Sequence, residues 1–326
     1  MGTELSRRAA LAAFAGSFAA LTITQARAAD RLRVGKAVVE NIGFIPLDVG
    51  MKYGLFEKEG LEIEAINFSG GAKVAQAVAA GAIDISLSGG PDMAYAAKGA
   101  PQIAIATITA SPAFMGISVG KDSTARTIDD LRGKRIGITS NGSLTFWLAE
   151  ELNRVKGWTN EQDRVLPIAV GGSPTSAFAA LKAGQIDASI GSTQAGYQLE
   201  EQQQGRLLLN ISEYVTRLEL FVIFASTTII QQNPDAVRRF LKGWYATVAF
   251  MKSHKAETVQ VASEVIGFSR AIADRSYDSL IPQYSTDGRF EPKAIDKLVS
   301  SFVDLKLVDH PADIAKFYTE EFLPKG

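Results

Sequence analysis

The chain has 326 residues, of which 34 are basic and 35 are acidic, and it contains no cysteine. A near-neutral balance gives no sign of the basic surface that nucleic-acid binding requires. The absence of cysteine excludes thiol catalysis, disulfides and cysteine-based metal sites.

The first predicted element is an export signal over residues 1–28. Arg7-Arg8 precede an apolar run from Ala9 to Ile23, and Ala26-Arg27-Ala28 forms an A-x-A cleavage pattern. The run is shorter than the roughly 20 residues that span a bilayer. We therefore predict cleavage near Ala28 and a periplasmic protein, with the general secretory and twin-arginine routes both left open.

Strand patterns then alternate with helix patterns. The runs "LRVGKAVV", "LEIEAINF" and "IDISLS" predict strands, and they are followed by the helix patterns "PLDVGMKYGLF", "AKVAQAVAAG" and "PDMAYAAKG". A second block repeats this order, with strands "KRIGIT", "RVLPIAV" and "IDASIG" before helices "SLTFWLAEELNRVKG", "SPTSAFAALKAG" and "TQAGYQLEEQQQG". This alternation predicts mainly parallel sheets flanked by helices.

The two blocks are internal copies. The stretch "SGGAKVAQAVAAGAIDISLSGG" (69–90) corresponds to "VGGSPTSAFAALKAGQIDASIGST" (170–193), "RVG" (33–35) to "RIG" (135–137), and "AFMGISV" (113–119) to "LFVIFAS" (220–226). The landmarks are offset by 101–107 residues. A single repetition at this spacing predicts two paired α/β domains. In both copies a glycine that ends a helix precedes Ile-Asp, and we interpret Asp84 and Asp187 as structural.

The last hundred residues change pattern. After Asn233-Pro234 comes a long helix with its apolar residues on one stripe, namely Val237, Phe240, Leu241, Trp244 and Val248. This tail has no sheet of its own, so we expect it to pack on the first lobe. The predicted lobes are 29–113 plus 222–326 and 114–221, and the two crossings between them form a hinge around a cleft.

Six strand-to-helix junctions predict the ligand site. They read "ENIGFIP", "FSGGAK", "LSGGPD", "TSNGSLT", "VGGSPT" and "IGSTQAG". Parallel sheets bind ligands at the carboxyl ends of their strands, and helix starts offer N–H donors to anions. Helix capping alone is the alternative role of each such residue. The candidate ligand-binding residues are Asn41, Phe44, Ser69, Gly70, Gly71, Ser88, Gly89, Ser140, Asn141, Ser143, Gly172, Ser173, Ser192 and Thr193.

The chain resembles the periplasmic solute-binding proteins of the nitrate, sulfonate and taurine type, which include a pyrimidine-precursor-binding branch. The resemblance is carried by "GFIPLDVGMKYGLFEKEGLEIE" (43–64), "GGAKVAQAVAAGAIDIS" (70–86), "TIDDLRGKRIGI" (127–138) and "NPDAVRRFLKGW" (233–244). It implies a two-lobed periplasmic-binding-protein-like fold of type II, whose ligand passes to a membrane permease powered by an ATPase. It also implies ligand contacts at Ser69, Gly71, Ser88, Ser140 and Ser143. A pyrimidine-synthesising relative relies on a cysteine-rich motif that this chain lacks.

Catalytic motifs are weak. "GISVG" at 116–120 is a G-x-S-x-G sequence, but Ser118 lies inside a predicted strand rather than at a strand-to-helix turn. The two histidines, His254 and His310, lie in the helical tail, and no H-E-x-x-H motif occurs. We predict no catalytic residue, no metal site and no cofactor.

The predicted function is therefore the solute-binding component of an ABC importer. We expect a monomer that captures a small anion, such as a sulfonate, taurine, nitrate or a carboxylate, for an inner-membrane permease and its ATPase. One alternative is a neutral or aromatic ligand, a pyrimidine precursor or an aromatic acid, for which Phe44, Phe114 and Phe146 would supply an apolar side. An enzyme on the same fold is a further alternative.

Overall fold

The computed structural model describes residues 29–39, 41–304, 307–308, 313 and 316–325. The predicted export signal and His310 lie outside these residues. The described strands are β1 (Asp30–Lys36), β2 (Leu61–Asn67), β3 (Ile85–Gly89), β4 (Gln102–Thr109), β5 (Met115–Gly120), β6 (Arg135–Ile138), β7 (Leu166–Ala169), β8 (Ala188–Ser192), β9 (Gly205–Asn210) and β10 (Phe221–Ser226).

Seven of the α-helices follow quoted helix patterns, and short 3₁₀ turns lie between some of the helices. They are α1 (Ile45–Lys52), α2 (Gly71–Ala79), α3 (Met93–Ala97), α4 (Leu144–Lys156), α5 (Pro174–Lys182), α6 (Thr193–Glu201), α7 (Thr227–Gln232), α8 (Pro234–Ser253), α9 (Lys255–Ile266), α10 (Arg270–Leu280) and α11 (Pro292–Asp304). None of the described helices has the length and apolar character needed to cross a membrane.

Two five-stranded sheets form the two lobes, with strand orders β2-β1-β3-β10-β4 and β7-β6-β8-β5-β9. The pairs of β1 with β2 and β3, and of β6 with β7 and β8, are parallel. One strand in each sheet, β10 or β5, is antiparallel to both of its neighbours. The expected two-lobed α/β fold with mainly parallel sheets is confirmed, with one reversed strand in each sheet.

The reversed strands are the copies "AFMGISV" and "LFVIFAS", and they are exchanged between the sheets. Strand β5 follows the first block of the chain but pairs with β8 and β9 of the second sheet. Strand β10 follows the second block but lies between β3 and β4 of the first sheet. The chain therefore passes from one sheet to the other between β4 and β5, and returns between β9 and β10.

The same ion pair braces both sheets. The Arg33 guanidinium donates to both carboxylate oxygens of Asp84, at 3.0 and 2.7 Å, and the Asp84 carboxylate also accepts from the Arg33 backbone N–H. Arg135 and Asp187 repeat this arrangement, at 3.0 and 2.9 Å. Hydrogen bonding from Arg135 lowers the pKa of Asp187. Asp84 and Asp187 are thus structural, as predicted.

The C-terminal helices contact both lobes. The predicted stripe of α8 is fully buried, and its Phe240 ring stacks on Phe56 at 5.3 Å. The expectation that the tail packs on the first lobe is incomplete, because the Trp147 indole N–H of α4 donates to the Ser301 hydroxyl of α11 at 2.7 Å. Arg275 of α10 also lies over the Tyr197 ring of α6, at 3.5 Å. Apolar periodicity identifies a buried helix face but does not specify which surface covers it.

Candidate functional site

A cavity lies where the carboxyl ends of the two sheets face each other. It encloses about 840 Å³ of space free of protein atoms, its open mouth included. All six predicted junctions contribute to its wall. Ten of the fourteen candidate residues line it, namely Asn41, Phe44, Gly70, Gly71, Ser88, Gly89, Ser143, Gly172, Ser173 and Ser192.

On the side of the second sheet, the serines of the cavity cap helices. Ser143, Ser173 and Ser192 are the N-cap residues of α4, α5 and α6, and each side chain accepts a hydrogen bond from the backbone N–H three residues further on. Ser143 is further tied down, because its hydroxyl donates to the Ser140 carbonyl oxygen at 2.7 Å. These hydroxyls have a structural role whether or not they also contact a ligand.

Four candidate residues do not line the cavity. Ser69 and Asn141 are exposed, and Thr193 is buried and accepts from the Gln194 side-chain amide at 3.1 Å. The Ser140 hydroxyl is buried without a hydrogen-bond partner among the described residues. It lies 2.6 Å from the position that a Cβ on Gly70 would take, so it belongs to the contact between the lobes.

The lobes touch at the rim of the cavity. The Tyr95 hydroxyl of α3 donates to the Gly142 carbonyl oxygen across the gap, at 2.8 Å. Gly172 lies so close to Ser69 that an added Cβ would be 2.9 Å from the Ser69 Cα. This approach explains why residue 172 has no side chain.

On the side of the first sheet, the cavity wall contains Asn41, Ser88 and a residue that the candidate set missed, Asp92. The Asn41 side-chain oxygen accepts from the Gly43 N–H at 2.7 Å, which leaves its amide nitrogen as the donor group. The Ser88 hydroxyl donates to Asp92 Oδ2. Asp92 is only 2% exposed, and burial raises the pKa of its carboxyl to about 7.

The apolar part of the wall comes from both sheets. Phe44 packs against Phe221 with ring centroids 5.0 Å apart, and Phe178 and Met115 also line the cavity. Phe114 is instead buried beneath, in edge contact with Phe221 at 5.9 Å. Phe146 packs on the core and does not line the cavity. Of the three aromatic candidates, only Phe44 lies in the wall.

The family described as "NMT1/THI5 like" matches residues 41–258. The chain belongs to this family. The chain is 24% identical over 277 residues to a putative aliphatic sulfonates-binding protein of Bacillus subtilis, and the match covers 78% of this chain and 81% of that protein. It is also 24% identical over 217 residues to a putative thiamine biosynthesis protein of Haemophilus influenzae, covering 65% and 66%.

Solved structures share the fold of this NMT1/THI5-like chain. The alkanesulfonate-binding protein SsuA from Xanthomonas axonopodis pv. citri, bound to MOPS, superposes with a TM-score of 0.73 at 21% identity, over 89% of this chain and 98% of that one. The desulfurization enzyme DSZB superposes with a TM-score of 0.62 at 13% identity, over 90% and 97%. The fold therefore hosts both binding proteins and an enzyme.

Ser118, the serine of the G-x-S-x-G sequence, is the candidate nucleophile for the enzymatic alternative. It lies within β5, as predicted, and it lines the cavity. A serine nucleophile needs an adjacent base. His254 is the histidine among the described residues, and it stacks on Phe250 at the end of α8, where its ring contacts the Phe250 carbonyl and Ser253. It does not belong to the cavity wall. Over the part of the chain that the structure describes, no cluster of three potential metal ligands occurs.

Proposed function

We propose that the protein is the extracytoplasmic solute-binding component of an ABC importer. The observation that carries this proposal is the cavity itself, which is lined by strand-to-helix junctions of both lobes. A ligand held there touches both lobes, so its binding energy favours the closed arrangement. The closed form would then deliver the ligand to the permease and its ATPase.

The exchange of β5 and β10 between the sheets supports the lobe boundaries that we propose. We take residues 29–113 and 222–326 as one lobe and 114–221 as the other, so that the hinge consists of the connection from β4 to β5 and the connection from β9 to β10. Both connections are short compared with the lobes, which suits a rotation about two adjacent points. The protein would act as a monomer, since each chain supplies both walls of its cavity.

The anionic class of ligand has weaker support than the sequence suggested. The helix starts of the second lobe use their serines for capping, and Asp92 places a carboxylate in the wall. Phe44, Phe178 and Phe221 instead offer an apolar surface. We therefore favour a small organic solute with an apolar part over nitrate or a simple sulfonate.

Gly172→Ala tests closure directly, because its Cβ would meet Ser69 across the cleft and nothing else about the residue requires glycine. We expect the variant to remain open when ligand is added, with a larger radius of gyration in small-angle scattering than the ligand-bound wild type. We also expect its Kd for any ligand to rise about tenfold or more, because the binding-competent state becomes rare. Gly120→Ala is the matched control, since a Cβ there meets nothing within 4 Å.

Tyr95→Phe provides a milder second variant outside the cavity wall. It removes the inter-lobe hydrogen bond to Gly142, which corresponds to about a three- to tenfold change in affinity. If both variants scatter and bind like the wild type, closure of these lobes is not the basis of function.

A further inference from the structure

Asp92 combines burial with an incomplete hydrogen-bond set. Its side chain lines the cavity, and it is 2% exposed. Oδ2 accepts from Ser88, whereas Oδ1 has no hydrogen-bond partner among the described residues. A buried carboxylate oxygen without a donor is costly, so such an oxygen in a ligand cavity calls for a donor that arrives with the ligand.

In the described part of the chain, no cation offsets the Asp92 carboxylate. Among the described residues that line the cavity, none is lysine, arginine or histidine. The buried lysine of the first sheet, Lys36, instead donates to both carboxylate oxygens of Asp48, at 2.9 and 3.0 Å. The wall therefore presents one acidic group without a basic counterpart.

The position of Asp92 is fixed by close packing. A Cβ on Gly71 would lie 1.8 Å from Asp92 Oδ2, so the start of α2 is pressed against the carboxylate. A Cβ on Gly90 would lie 1.8 Å from the Glu219 carbonyl oxygen, which holds the preceding loop in place. Gln102 also donates to the Asp92 carbonyl oxygen, at 3.3 Å. The carboxylate is thus preorganised rather than a mobile surface group.

We propose that Asp92 binds a hydrogen-bond-donating nitrogen of the ligand, and that the solute is an amine, an amidine or an N–H-bearing heterocycle with an apolar part. This inference rests on the proposed solute-binding function and narrows its ligand class. The nitrogen supplies the donor that Oδ1 lacks, and the apolar part packs against Phe44, Phe178 and Phe221. A purely anionic solute meets repulsion at the same place.

Binding should be coupled to the proton of Asp92. The groups around the carboxyl are Ser88, which donates to it, and Tyr95, the pKa of which is raised by burial and by the Asp92 charge. At pH 6 Asp92 is mostly protonated and must lose its proton to bind a cationic ligand, so binding releases close to one proton. At pH 8.5 Asp92 is already ionised, and binding releases almost none. A merely structural aspartate would not give this signature.

The test compares two pairs of probes that differ in their polar group, benzamidine with benzoate and propylamine with ethanesulfonate. Titration calorimetry of the full chain in buffers of different ionisation enthalpy gives both the Kd and the number of protons released. We expect the nitrogen-bearing probes to bind in preference to their partners. We also expect Asp92→Asn to weaken them at least tenfold and to abolish proton release.

Glu219→Gln is the matched control. Glu219 is also a buried acid whose pKa burial raises to about 7, but its partners are Thr107 and the Glu291 N–H, and it does not line the cavity. Binding of the probes should be unchanged in this variant.

Preference of the wild type for benzoate or ethanesulfonate, or undiminished binding of the nitrogen-bearing probes by Asp92→Asn, overturns the role of Asp92 and leaves the solute-binding function standing. Failure of both nitrogen-bearing probes to bind the wild type also overturns it. The Gly172→Ala comparison then judges the proposed function separately, because closure can be followed with benzoate, ethanesulfonate or any other ligand that binds.

Discussion

The two sides of the cavity come from copies of one pattern, yet their helices begin differently. On the second side, α4, α5 and α6 begin at serines whose side chains accept from the first turn. On the first side, α1, α2 and α3 begin at Phe44, Gly70 and Asp92, none of which makes a side-chain cap. The second side satisfies its own helix starts, whereas the first side has Asp92 with an unpartnered oxygen.

The two copies share their bracing ion pairs but differ at the junctions that line the cavity. The Arg33–Asp84 and Arg135–Asp187 pairs occupy equivalent places and make the same contacts. They brace the strands and do not line the cavity. The junctions at the cavity have diverged, and the acidic group stands on one side only. The bracing ion pairs are symmetric, whereas the acidic side chain of the cavity wall lies in the first lobe only.

The largest expected difference between the two sides of the cavity is a dependence of stability on pH that comes from Asp92. Burial raises the pKa of Asp92 from 3.8 to about 7 in the folded protein, so the folded state keeps a proton that the unfolded chain has lost. The free energy of unfolding therefore falls as the pH rises from about 4 to 7 and levels off above that. The loss is on the order of 4 kcal/mol for this group.

Asp92→Asn isolates that contribution. The neutral amide resembles the protonated acid, so we expect the melting temperature of the empty variant to approach that of the wild type as the pH falls toward 4. At pH 8 the variant should melt higher. Glu219 contributes a similar slope in both proteins, which makes the difference between the two curves the relevant quantity. A difference that stays constant across this range would contradict the assignment.

The second prediction compares the two ion pairs. The Asp84 side chain is 15% exposed and that of Asp187 is 34% exposed. We expect Asp84→Ala to lower the free energy of unfolding by about 2 kcal/mol and Asp187→Ala by about 1 kcal/mol, because the more exposed pair is better screened by water. Urea denaturation measures both, with the exposed Asp122→Ala as a control near zero. An inverted order would mean that exposure does not govern these pairs.

The smallest effect concerns the serine caps of the second side. Ser143→Ala and Ser173→Ala should each lower the free energy of unfolding by about 1 kcal/mol, since each leaves a helix N–H without its acceptor. Ser69→Ala, on the first side, removes an exposed hydroxyl and should change stability by less than about 0.5 kcal/mol. Equal effects at all three positions in chemical denaturation would remove the asymmetry between the two sides.

Much of the fold could be predicted because its signals are local. Apolar runs bounded by glycine and proline gave the strands and helices of both copies, and the stripe on α8 identified its buried face. Strands β4 and β9 were not predicted. The segments "QIAIATIT" and "GRLLLN" lie just outside the repeated landmarks, and neither has a distinct alternation. The exchange of β5 and β10 depends on pairing across the chain, which periodicity does not contain.

The sequence predicted where the site lies but not which of its residues are free to bind a ligand. All six junctions meet at the cavity, because parallel strands bring their carboxyl ends to one edge. The sequence could not distinguish a capping serine from one free to bind, since Ser143 and Ser140 look alike until their partners are known. Asp92 stands in the junction "LSGGPD", where an acid suits any helix start. Only its burial and the lack of a cation reveal it as unusual.

The position of β10 in the first sheet determines which sheet can be completed first during synthesis. This strand lies between β3 and β4, and β4 has no other strand neighbour in the described sheets. Because the chain is synthesised from its N-terminus, β1 to β4 are made before β10, and all the strands of the second sheet are made in between. Until then the position between β3 and β4 in the first sheet is empty. The second lobe can close its sheet first, and the lobe that holds Asp92 is completed only when residues 221–226 arrive to fill the gap.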